Sequence, residues 1–102
     1  MGKFRYLNEF RGLVSEATKA SDQTLLSKAA YDEIMIKINS SDLVPSSLRE
    51  AEVKAAGELF TAENAEAGAA LTILAYLRQH EAMLVDEIFL LRFDGEATDD
   101  TA

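Results

Sequence analysis

Cysteine is absent from this chain, which removes disulfides, thiolate nucleophiles, zinc–cysteine sites and iron–sulfur clusters together. Histidine occurs once, as His80, so any transition-metal site would have to be built from carboxylates around a single imidazole. Its candidate neighbours are Glu81, Asp86 and Glu87. On a helix Glu81 diverges from His80 by about 100°, and Glu87 lies two turns away. No metal site is expected from that spacing. Long apolar runs are also missing. The longest, Ala69 to Leu77, is nine residues, against about 20 needed to cross a bilayer. No membrane span is expected.

Catalytic signatures are equally scarce. There is no Gly-x-Ser-x-Gly, no phosphate-cradling glycine loop and no Ser-x-x-Lys, and a serine nucleophile needs such surroundings to be activated. The acidic doublets Asp32-Glu33 and Asp86-Glu87 point in divergent directions on a helix and read as solvated faces. The expectation is a chain that is not an enzyme, with no cofactor, catalytic or metal site.

What the chain does have is acid and helix-forming periodicity. The net charge is −8 over 102 residues. Residues 1–20 carry net +2, residues 94–102 carry −4, and the body between them carries −6. This balance disfavours nucleic-acid backbones, which are bound mainly through Lys and Arg, and suits a basic protein surface. Lys3, Arg5 and Arg11 do alternate with Phe4, Tyr6 and Phe10, but three bases are too few to predict direct nucleic-acid binding. The first residues run straight into a charged amphipathic pattern with no signal-type apolar run, and a cytoplasmic location is the default expectation.

Along the chain, Tyr6, Leu7, Phe10, Leu13, Val14 and Ala17 recur at three- and four-residue intervals, the mark of an amphipathic first helix. Ser21 or Asp22 then offers a cap for a second helix to about Asn39, with Leu25, Leu26, Ala29, Ala30, Ile34 and Ile38 inward. Ile34, Ile36 and Ile38 alternate in a strand-like way, yet nothing from Gln23 to Ile38 breaks a helix. Ser40-Ser41-Asp42-Leu43-Val44-Pro45 is the clearest boundary. Ser47-Leu48-Arg49-Glu50 matches a capping box for a third helix through Val53, Ala56, Leu59 and Phe60. Thr61 to Asn64 reads as a turn, with one continuous helix from residue 47 as the alternative.

The last helix, from about Asn64 to Phe93, closes at Asp94-Gly95, where glycine suits a C-terminal stop. Thirty helical residues rise about 45 Å, while a compact domain of this length is roughly 34 Å across. The helix must therefore bend, break or project. Leu74, Leu77, Leu84, Ile88 and Leu91 form its apolar stripe, and Ile73, Tyr76, Met83, Phe89 and Leu90 widen it. Glu81 interrupts the stripe and is placed at its edge. Ala62 to Ala70 is rich in alanine and glycine, which allows close helix approach.

The resulting expectation is an all-α, compact helical bundle of about four helices over residues 1–95, with a long C-terminal helix and an acidic disordered tail over 96–102. Its function is expected to be protein binding: a regulator or inhibitor that occludes a basic partner surface. The alternative is an accessory subunit that homodimerises or completes a larger complex through its last helix. Tyr76, Glu81, Met83, Asp86, Glu87, Ile88, Phe89 and Leu91 are the candidate partner-binding residues.

Overall fold

A computed structural model describes residues 2–93. The expected stop at Asp94-Gly95 and the acidic tail lie outside them. Two helices account for nearly everything described: α1, Arg5–Asn39, and α2, Ser46–Phe93. They run antiparallel, since Leu7 meets Glu87 and Thr24 meets Ala62 across the pair.

The turn is set by the residues that end a helix. Ser40 and Ser41 fold their hydroxyls back onto the carbonyls of Ile36 and Lys37, and their backbone N–H groups donate to Ile36 and Ile38. The last carbonyls of α1 are thereby satisfied. Pro45 has no N–H to contribute and fixes its own φ, and its carbonyl accepts from Leu48 and Arg49 to close the first turn of α2. Ser47 falls within that turn, not before it. The anticipated capping box is thus not what starts the helix.

The seam between the helices is a heptad pattern. On α1 the half-buried and buried positions Tyr6, Phe10, Leu13, Ala17, Ala20, Thr24, Ser27, Tyr31, Ile34 and Ile38 alternate steps of four and three. On α2 the same alternation runs through Leu48, Glu52, Ala55, Leu59, Ala62, Glu66, Ala69, Ile73, Tyr76 and His80. Such spacing keeps one stripe facing a partner helix along its whole length. It breaks at His80, whose backbone is non-helical at φ −123°, ψ 21°. The next buried residue is Leu84, where strict alternation would place Met83. An extra step of four locally unwinds a coiled coil, and the backbone distortion falls at that step.

The expected compact bundle of about four helices is corrected by this arrangement. The molecule measures 66 × 25 × 18 Å with a radius of gyration of 21.1 Å, against about 13 Å for a compact chain of this size. Neither Ser21-Asp22 nor Thr61–Asn64 interrupts its helix. The physical reason is the seam itself. Apart from Leu59, the middle of the seam is lined by Ala17, Ala20, Thr24 and Ser27 of α1 and Ala55, Ala62, Glu66 and Ala69 of α2, side chains too small or too polar to build a thick core. They do allow intimate contact: the Thr24 hydroxyl lies 3.2 Å from the Ala62 carbonyl on the opposite helix.

Candidate interaction surface

The open end of the hairpin carries its best-defined polar geometry. Phe4 stands at the N-cap of α1 and offers no capping side chain, leaving the first N–H groups unpaired within the helix. Glu87 of α2 supplies what is missing. Its carboxylate accepts from the Leu7 N–H at 2.6 Å and the Tyr6 N–H at 3.0 Å, and the residue is buried, 7% exposed. A carboxylate at a helix N-terminus also meets the positive end of the helix dipole. Its burial is matched by two charge-assisted bonds.

One turn deeper lies an aromatic cluster. The Tyr76 hydroxyl donates to Glu9 at 2.6 Å and lies 3.3 Å from the Tyr6 carbonyl. His80 sits between Tyr6 and Tyr76, with ring centroids 5.0 and 4.5 Å away. Arg5 pairs with Glu9 and covers the Tyr6 ring. Burial, and then the bond to Glu9, push the Tyr76 hydroxyl up to about 12. The Tyr76 bond, with further help from Arg5, holds Glu9 below the usual carboxylate range. Among the described residues no three histidine, aspartate or glutamate side chains gather as a metal site would need. These contacts fasten α1 to α2.

Of the eight candidate partner-binding residues, two face inward. Tyr76 and Glu87 are engaged by α1 as just described, so Glu87 presents no free carboxylate to a partner. Glu81 and Asp86 are exposed. Lys28 pairs with Asp32 at 3.2 Å. Met83, Ile88, Phe89 and Leu91 are 37–59% exposed, and Phe89 stacks on Phe93 with ring centroids 4.4 Å apart. Because Glu87 sits level with the first residues of α1, the segment after it projects roughly 9 Å beyond its partner helix.

A second apolar surface lies along the middle of the hairpin, and the sequence reading misplaced it. Leu25 and Leu26 were expected inward, yet they are 64% and 66% exposed, and Val53 and Phe60 of α2 are as open, at 73% and 66%. Val53, Phe60, Ala67 and Leu74 follow one another at intervals of seven, one position past the seam. This spacing was the available signal. The assumption of a compact bundle had assigned Leu25 and Leu26 to a core. On the other side of the pair, Gln23, Ser27, Gly57, Glu58, Thr61 and Ala65 help to line an open groove of about 770 Å³.

Among the described residues no helix is long and apolar enough to cross a membrane. Comparison with protein-family models, with curated proteins and with solved structures finds no match for this chain.

Proposed function

We propose that this chain is a protein-binding module, a helical hairpin whose open apolar face is completed by another helical surface. One observation carries the reading: a layer only 18 Å thick leaves fifteen large hydrophobic side chains of the described residues more than a third exposed. No side chain among them is fully enclosed. Scattered exposed leucines are ordinary, but Val53, Phe60, Ala67 and Leu74 recur at intervals of seven along α2, and an exposed apolar stripe of that kind marks an interaction site. In this reading the hairpin acts by covering a surface on its partner, as a regulator or inhibitor, rather than by catalysis.

The charge supports a narrower role than the total of −8 suggests. Four of its acids fall in residues 94–102, outside the described residues, while Asp42 stands in the turn and Glu52 and Glu66 lie in the seam. A basic partner surface therefore draws little support from the seam acids, and the apolar face is supported by its exposed hydrophobic side chains. A photo-crosslinking residue at Phe60 or Leu74, in the full chain expressed in its native cell, is expected to capture a protein, whereas one at the polar outer position Asn8 is not. Capture of nothing from Phe60, Leu74 and Phe89 alike would overturn the reading.

A further inference from the structure

We propose that the surface covering Val53, Phe60 and Leu74 is the same surface of a second copy, two hairpins forming a four-helix bundle. This rests on the protein-binding reading and names its partner. In an antiparallel helix pair, the positions just outside the seam on one flank of α1 lie beside the corresponding positions of α2. Val14 and Leu25 of α1 therefore share a side with Val53, Phe60 and Leu74 of α2. Their exposures run from 40 to 73%. At the area implied by a burial free energy of about 1.5–3 kcal/mol per side chain, these five and the neighbouring alanines offer on the order of 400 Å² of apolar surface. A stable interface takes about 800 Å² per partner, roughly 60% of it apolar, so the face approaches what a dimer requires.

Charge selects the second copy over a basic protein. That side carries Arg11, Lys28 and Arg49 against Asp32, Glu63 and Glu81, all exposed, and is neutral in a chain of net −8. A face evolved for a basic target would concentrate acid there. A balanced face lets two strongly acidic molecules meet, because Lys28 pairs with Asp32 and Arg49 with Glu52 within each copy, which leaves little uncompensated acid there to repel the other. A two-fold axis places one patch against itself, so a patch holding both signs and a continuous apolar stripe is self-complementary. The opposite side carries no such stripe: its groove reaches Val53 at one edge and is otherwise lined by glycine, alanine and polar or charged groups.

The absence of cysteine makes the test direct, since a single introduced thiol can bond only to another copy. Single variants Phe60→Cys, Ala67→Cys and Leu74→Cys of the full chain are oxidised mildly and compared with Ala65→Cys and Thr72→Cys on the other side, with native mass measured by sedimentation. The expected results are twice the 11.2 kDa chain mass and covalent dimer enriched at least tenfold on the apolar side. Phe60→Glu is expected to weaken the dimer at least ~30-fold, the loss of a well-buried interface anchor. If that variant unfolds, the thiol map of the otherwise unaltered chain decides. A helical particle of single-chain mass at every concentration, with no side preference, overturns the second copy. If crosslinks from Phe60 in cells then reach a different protein, the protein-binding reading stands without it. If they reach nothing, both fall.

Discussion

Glu87 caps a helix whose first turn lies some 80 residues earlier, its Oε1 accepting the N–H of Leu7, 80 residues away, while Oε2 accepts that of Tyr6. The start of α1 thus depends on α2 being in place, which ties local helix formation to the long-range pairing. Glu87→Ala is expected to destabilise the fold by about 1–2 kcal/mol, the usual scale of a lost cap. Glu87→Gln, which keeps one acceptor, should fall between. Denaturant unfolding followed by helical circular dichroism measures both. Equal stability of all three proteins would show that the cap contributes nothing.

Tyr76 and Glu9 make the hairpin sensitive to both extremes of pH. The Tyr76 hydroxyl is pushed up to about 12, whereas in an unfolded chain it ionises near 10. Its contribution is complete below about pH 10 and is lost as pH rises from there toward 12. Glu9 is held below its ordinary value, chiefly by the Tyr76 hydroxyl. Its contribution is present above that ordinary value and disappears as acid carries the pH through the lowered one. Tyr76→Phe should flatten the alkaline loss and weaken the acid one. Stability measured across pH, with tyrosine ionisation followed in parallel, tests both limbs.

The step at His80 has its own consequence. Leu84 is 4% exposed and Met83 48%, the reverse of what an unbroken heptad would give. Leu84→Ala should cost about 2–4 kcal/mol, as buried leucine truncations do, while Met83→Ala should leave the helix pair intact. Thermal melts of the two variants would expose a mistake in the register if Met83 proved the costlier.

Salt separates the two kinds of partner. Association through an apolar face of balanced charge should change little as ionic strength rises, whereas docking driven by the acidic residues should weaken steeply. Leu26→Glu, on the opposite flank of α1, should leave self-association unchanged. Measuring the association constant at low and high salt for the native chain and this variant checks both points.

Much of the helix content was legible because its signals are local. The Ser40 to Pro45 connection combines small polar residues with the only proline, and both helices stop and start there. Ile34 and Ile38 were read inward and lie in the seam. Ser21-Asp22 misled because a capping residue permits a helix start without forcing one; at Thr61–Asn64, where nothing removes a backbone donor, the alternative of one continuous helix is the one the structure has. Compactness failed for a different reason. Length alone suggested a globule, whereas the seam residues Ala17, Ala20, Ala55 and Ala62 bring helices together without filling a core. The role of Glu87 was invisible because it depends on which residue of α1 stands opposite, a long-range register that periodicity on one helix does not contain.

The central claim is that this hairpin draws its stability from covering its open face with another copy. The most direct measurement is the melting temperature of the full chain over roughly a hundredfold range of concentration, because association that stabilises only the folded state makes melting concentration-dependent. The account predicts a melting temperature that climbs steadily with concentration and stops doing so in Phe60→Glu. A melting temperature independent of concentration, in a particle of single-chain mass, would contradict it.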